Sequence, residues 1–211
     1  MEIVLNKATK RFGRETVLKE LDHLFAAGCR TAILGPNGSG KSTLLQIVAG
    51  AMTLTRGRVA HRLHDRALPI EKVYRHVSIA APYLGLYEDL TLRETIDLHA
   101  RMKPLRSGIH RDDLPTIAYL RAALDKPVRH FSSGMKQRLK LALAILSDTP
   151  LLLLDEPATN LDTEGIAWWQ RLLEAHVDGR TVLVASNRMD EETWICTSRL
   201  DVTGSVGTVP V

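Results

Sequence analysis

The sequence predicts an α/β fold built on a mostly parallel sheet, and three observations predict it. Residues 30–50, RTAILGPNGSGKSTLLQIVAG, read as a strand, a glycine-rich loop and a helix. Leu151-Leu152-Leu153-Leu154-Asp155-Glu156 reads as a fully buried strand that ends in two carboxylates. Around these stretches, short apolar strands alternate with helical periodicities, the pattern of a parallel sheet covered on both faces.

The elements follow in chain order. Residues 2–6 alternate and read as a strand. Phe12-Gly13 is a turn, and 16–21 reads as a second strand. These make a small N-terminal antiparallel β subdomain. Ala32, Ile33 and Leu34 form the strand before the loop, and Leu44, Leu45, Ile47 and Val48 supply the helix after it, with Gly50 as its C-terminal stop. Residues 57–60 and 73–80 read as strands. From 82 to 147 the character is helical. Thr91 and Glu94 make a capping box for a helix that Lys103-Pro104 ends. A second helix is expected over 112–124 and a third over 131–147. Residues 162–177 read as a helix with Ile166, Trp169, Leu172 and Leu173 on one face, and 182–185 as another buried strand. The tail, 197–211, carries no readable pattern.

Composition sets limits. The 211 residues suit a single domain, 1–211, with a helical lobe at 82–147. Hydrophobic residues at 45% and charged residues at 25% are those of an ordinary globular protein. A net charge of +4 suits an anionic nucleotide or a membrane surface but is too small to argue for nucleic acid. Cys29 and Cys196 are far apart and in no metal-binding spacing, so free thiols in a reducing compartment are expected. No apolar run approaches the roughly 20 residues of a membrane span, and the first residues lack a signal-peptide core. A cytoplasmic protein is expected, with membrane contact only through a partner.

The chemistry starts at Gly35-Pro36-Asn37-Gly38-Ser39-Gly40-Lys41-Ser42. A G-x-x-x-x-G-K-[ST] match between a strand and a helix is a P-loop. Its glycines let backbone N–H groups turn inward onto phosphate oxygens, and the helix that follows adds free N–H groups and the positive end of its dipole. Lys41 is expected on the β- and γ-phosphates and Ser42 on Mg²⁺. Asp155, at the end of a buried strand, is the expected second support for Mg²⁺, usually through water. Glu156 can turn toward the γ-phosphate and polarise a water. Phe12 reads equally as a packed turn residue or as a ring for a base. His61 and His64 are two apart without further ligands. Trp168-Trp169 reads as packing, and Lys136, Arg138 and Lys140 as a solvated face.

With these residues in place, the chain resembles the nucleotide-binding subunits of ABC transporters over nearly its full length. Gly35 to Thr43 is similar to Walker A and Leu151 to Glu156 to Walker B. Pro157 to Asp162 resembles the D-loop. Phe131-Ser132-Ser133-Gly134-Met135-Lys136-Gln137-Arg138 resembles the signature, usually LSGGQ-x-QR. The resemblance implies a P-loop NTPase fold whose helical lobe bears the signature. It implies ATP and Mg²⁺ as cofactors, with Glu156, Lys41 and Asn187 as the catalytic set. It also implies two cassettes, expected as a homodimer, docked head to tail. Ser132 and Gly134 of one would then cap the γ-phosphate held by the other, and Asp162 would lie at the seam. Phe12 falls at the aromatic position that stacks on adenine. A separate transmembrane permease would contact the helical lobe.

Three departures from the family pattern bear on rate. Ser133 and Met135 replace the usual Gly and Gln of the signature. Pro82 stands where a Gln normally reaches Mg²⁺ and the water. Asn187 stands where a His is usual and cannot carry its charge. The expectation is slow ATP hydrolysis that still depends on Glu156. Two other readings are a nucleotide-gated dimerisation module with little hydrolysis and a non-transport ABC ATPase. The second of these usually carries a long coiled-coil insertion or a second cassette, and this chain shows neither a heptad run nor a repeat.

Overall fold

The computed structural model describes residues 1–187 and 190–202. Chain contacts divide it into two compact units. The first holds residues 1–79 and 149–156 and the segment from Gly179 on, and the second holds 80–148 and 157–178.

In the first unit, β1 (Glu2–Phe12) pairs antiparallel with β2 (Glu15–Phe25). Both run well beyond the expected 2–6 and 16–21. The register shifts between Leu5 and Ala8 and again before Arg11. Lys7 and Glu20, with φ of 45° and 47°, lie in the left-handed region near these shifts. Bulges break the period of two, which hides the outer halves of the strands from a reading by alternation. Next come β3 (Arg30–Leu34) and α1 (Lys41–Val48). Ala49 caps α1, and Gly50 follows at φ 73°, donating to Ile47 O.

A hairpin follows, β4 (Arg56–Leu63) and β5 (Arg66–Leu68), where only 57–60 was expected. Its two-residue turn is His64-Asp65, both at positive φ (49° and 59°), the geometry that matches strand twist. His61 is buried, with Nε2 2.8 Å from Val48 O. The expected strand over 73–80 is corrected. Residues Ile70–Arg75 form a 3₁₀ helix behind Pro69, and only β6 (Val77–Ala80) is extended. Val73 is fully buried, so its apolar character fits either conformation, and the fixed φ of Pro69 starts the turn instead.

The chain then enters β7 (Leu151–Asp155), β8 (Thr181–Ser186) and β9 (Ser198–Asp201). The antiparallel sheet has the order β2-β1-β4-β5, and the second sheet β6-β7-β8-β3-β9. In the second, β3 pairs in parallel with β8 and β9, and β7 with β8. Every residue of β7 and β8 is buried, as a sheet covered on both faces requires. Ile33, Leu151, Leu153, Leu183 and Ala185 share one core with Leu44, Leu45, Ile47 and Val48 of α1. In register, Leu34 lies beside Ser186, and Asp155 beside Ala185. Three neighbouring strands therefore end together at one edge of the sheet, followed by Gly35, Glu156 and Asn187. Of the tail expected to be patternless, Ser198–Asp201 is the edge strand β9, and 203–211 lie outside the described residues.

The second unit is helical. Its α2 (Leu92–Met102) starts on the Thr91 capping box, with Thr91 Oγ1 accepting from Glu94 N and Glu94 Oε2 accepting from Thr91 N. The single helix expected over 112–124 is corrected. It is a 3₁₀ turn, Arg111–Asp113, then α3 (Leu114–Ile117), then a second 3₁₀ turn, Arg121–Ala123. Tyr119, at φ 58°, breaks it. Leu120 N donates to Pro115 O and Tyr119 N to Thr116 O, the bond pair of a Schellman end with tyrosine in the place of glycine. Then α4 (Ser133–Leu146) packs on α5 (Thr163–His176). Trp168 and Trp169 are buried, and Trp168 Nε1 donates to Ile117 O at 2.6 Å.

His99, near the end of α2, donates through Nε2 to Ser147 Oγ at 2.8 Å, while the Ser147 hydroxyl donates to Leu143 O. Burial, and then the Lys103 charge, push the His99 pKa down to about 4. The folded imidazole therefore stays neutral where the unfolded one takes a proton. Stability is complete above the unfolded value near 6.5 and falls as pH drops from there to about 4. The loss is on the order of 3 kcal/mol. Urea unfolding at pH 7 and pH 4 is expected to show this extra loss in the wild type and not in His99→Gln.

Candidate functional site

The glycine-rich loop closes on itself between β3 and α1. Ser39 N donates to Pro36 O, and Leu44 N to Gly40 O at 2.8 Å. Gly40 holds φ at 100° and begins α1, and a Cβ there would come within 2.6 Å of Val17 Cγ1. Only glycine fits both the angle and the space. Lys41 is buried, and its Nζ donates to Gly35 O at 2.8 Å and Pro36 O at 3.0 Å, so its charge sits within the loop.

A cavity of about 240 Å³ opens at this loop, lined by Val17, Asn37, Gly38, Gly40, Lys41, Ser42, Thr43 and Glu156. Most of the loop residues read from the sequence line it together, joined by Glu156 from the end of β7. Val17 belongs to β2 and was not anticipated; strand alternation alone does not say which face of β2 meets the loop.

Asp155 is 2% exposed. Burial pushes its carboxyl pKa up; the nearby Ser42 hydroxyl pulls it down, the Glu156 charge pushes it up and the Lys41 charge pulls it down. Its Oδ2 and the Ser39 Oγ are buried atoms without a hydrogen-bond partner among the described residues. A carboxylate oxygen next to a serine hydroxyl is a hard oxygen donor set of the kind Mg²⁺ takes. Glu156 has φ 46°, and its N–H donates to Ala185 O at 2.9 Å. A left-handed glutamate costs about 1–3 kcal/mol of backbone strain, and here it turns the side chain out of the alternation of β7. Asn187 follows β8, and its Nδ2 donates to Asn37 Oδ1 at 3.3 Å. Phe12 ends β1 with its ring 48% exposed and the Lys10 ammonium 4.9 Å from its centroid. It is therefore not a core residue.

The second unit carries the other candidates. Ser132 caps α4, its Oγ accepting from Met135 N at 3.2 Å. A Cβ on Gly134 would meet Asn160 O at 3.0 Å, so the glycine lets α4 approach the segment 157–162. Ser132, Gly134, Tyr119, Arg138, Asn160 and Asp162 are among the residues that line a cavity of about 530 Å³. Asp162 caps α5, accepting from Gly165 N at 2.7 Å. Pro82 is exposed in a turn in which Leu84 N donates to Ala81 O.

The expected solvated face of α4 is corrected. Lys136 pairs with Glu88, and Lys140 Nζ donates to Ala81 O at 3.1 Å, with burial lowering its pKa. Arg138 is 16% exposed, lies over the Tyr119 and Trp168 rings at 5.5 and 5.6 Å, and stands 3.5 Å from Asp162 Oδ1. Gln137 is 3% exposed and its Nε2 donates to Pro157 O at 2.9 Å. The sequence held a signal for it: residue 137 falls four and seven before Leu141 and Ala144, on the buried face of α4.

A strand, a glycine-rich loop holding a lysine, a helix and an acidic strand end beside them define a P-loop nucleoside-triphosphate-binding fold. The chain belongs to the ABC transporter family, whose family model matches residues 18–159. It is 32% identical over 193 residues to the daunorubicin resistance ATP-binding protein DrrA3 of Streptomyces coeruleorubidus, covering 90% of this chain and 61% of that protein. It is 30% identical over 193 residues to the Nod factor export ATP-binding protein I of Ralstonia nicotianae, covering 89% and 60%. The chain thus spans about three fifths of the length of these relatives. Among solved structures it is similar to an ATP-binding subunit of an ABC transporter, with a TM-score of 0.80, 26% identity and coverage of 95% of this chain and 85% of that one. The α/β fold, with its parallel core sheet and antiparallel sheet, is that of these subunits.

Proposed function

We propose that the chain is an ATP-binding and ATP-hydrolysing subunit that energises a membrane transporter through ATP-driven head-to-tail dimerisation. The observation that carries the reading is the convergence of Lys41, Ser42 and Glu156 on one cavity, with Asp155 buried at the end of the strand that leads into Glu156. Lys41 and the loop N–H groups, including that of Thr43, bind the triphosphate. Asp155 and Ser42 hold Mg²⁺, which when bound neutralises charge on the β- and γ-phosphates. Glu156 accepts the proton of the attacking water. Phe12 offers its exposed face to the base. Ser132 and Gly134 of a second copy complete the site from across the dimer. The helical lobe, 82–147, faces a separate permease. No helix among the described residues is long and apolar enough to cross a membrane, and the permease would hold the subunit at the inner face of the membrane.

Hydrolysis is slow in this reading, because Pro82 offers no side-chain ligand and Asn187 no charge. A missing donor in a preorganised site costs about 2.7–4 kcal/mol, or roughly 100- to 1000-fold. Turnover of the purified protein with Mg²⁺ and ATP tests this. Asn187→His is expected to raise kcat at least about tenfold. The bond from Asn187 to Asn37 favours one second reading, a nucleotide-gated dimerisation module in which hydrolysis is vestigial. ATP binding without measurable turnover, in both the wild type and Asn187→His, selects that module.

A further inference from the structure

Glu156 sits where the chain passes from the first compact unit to the second: the first takes in Thr149–Glu156 and the second resumes at Pro157. Its own N–H donates to Ala185 O in β8, within the first unit. The carbonyl of the next residue, Pro157, accepts from Gln137 Nε2 at 2.9 Å, within the second. Its φ of 46° is unusual for any side-chain-bearing residue, and a residue before proline prefers extended backbone. Such a conformation persists only where the surroundings over-determine it.

The segment after Glu156 is fastened to α4 along its length. Pro157 is buried and held by Gln137. Leu161 N donates to Ala158 O, and Asn160 O lies against Gly134. Asp162 faces Arg138, which the Tyr119 and Trp168 rings flank. Gln137 is the member nearest in sequence to the acid, and it is a fully buried amide spent on a single backbone carbonyl. Removing the donor leaves that carbonyl buried without this partner and frees the residue that follows Glu156.

We propose that Gln137 is a positioning residue for Glu156. By fixing the Pro157 carbonyl it sets the direction of the Glu156 backbone and so of the carboxylate that polarises the water. This rests on the reading of the chain as an ATPase. Gln137 lines neither the cavity at the glycine-rich loop nor the one at Ser132 and Gly134, so its loss is expected to act on kcat and leave nucleotide binding alone.

The test compares Gln137→Met, equal in length but without a donor, with Leu139→Val, a buried change on the same helix. In Gln137→Met, kcat for ATP is expected to fall at least about tenfold with KM within about twofold. In Leu139→Val, the melting temperature drops by a similar or larger amount while kcat stays near wild type. An unchanged kcat in Gln137→Met, or a fall matched by Leu139→Val, overturns the proposal. If Gln137→Met does not fold, Gln137→Asn, one methylene too short to reach, takes its place. Hydrogen exchange over 157–166 is read in parallel. If the wild type shows no turnover, the ATPase reading falls and the positioning role with it, whereas turnover in the wild type with kcat unchanged in Gln137→Met overturns the positioning role alone.

Discussion

Glu156→Gln is expected to lower ATP turnover by about 10²–10⁴-fold, the range of a positioned general base, while ATP binding stays within about twofold. The substitution keeps the volume, the left-handed backbone and the place in the cavity, and removes only the ability to accept a proton. The steady-state rate falls, and a single-turnover experiment shows the same fall, because the lost step is chemistry. Filter binding of labelled ATP supplies the comparison. Equal rates in wild type and variant would remove Glu156 from the mechanism and leave the left-handed turn after β7 without a chemical purpose.

Lys41→Met is expected to weaken ATP binding by about 3 kcal/mol, roughly 100-fold. The lysine is 5% exposed and its ammonium already lies on two loop carbonyls, so the charge is in place before any phosphate arrives. Methionine keeps most of the apolar stem and loses the charge. Melting temperature without nucleotide is expected to change little, whereas the upward shift produced by saturating ATP is expected to shrink. A Kd for ATP equal to that of the wild type would place the triphosphate elsewhere.

Much of this fold was legible because local chemistry and global position agreed. The loop at 35–43 needs glycines, a strand before it and a helix after it, and all three are visible within residues 30–50. The four leucines before Asp155 fit a short strand buried on both faces, and their ending in two acids fits a strand end. The Thr91 capping box was readable because both of its partners lie within four residues. What was hidden depended on distant partners or on unusual backbone. Tyr119 breaks the second helix at positive φ, a conformation the sequence advertises only when glycine occupies it. The bulges at Lys7 and Glu20 cut the alternation of β1 and β2 in half. Arg138 looks like a surface cation until the Tyr119 and Trp168 rings are brought to it. Val17 joins the phosphate loop from another sheet. The candidate site was thus legible in its glycine-rich loop and in its acids. The burial of Gln137 could be read from its place on α4, but its bond to Pro157 could not, because that partner is a backbone atom twenty residues away.

The central claim is that the loop at Gly35–Thr43 is half a site, completed by Ser132 and Gly134 of a second copy. Sedimentation of Glu156→Gln with Mg²⁺ and saturating ATP tests it most directly, since the variant is expected to hold ATP without consuming it. The account predicts a dimer with ATP, a monomer with ADP, and a monomer with ATP when Ser132→Arg is added. A variant that binds ATP yet stays monomeric would contradict it.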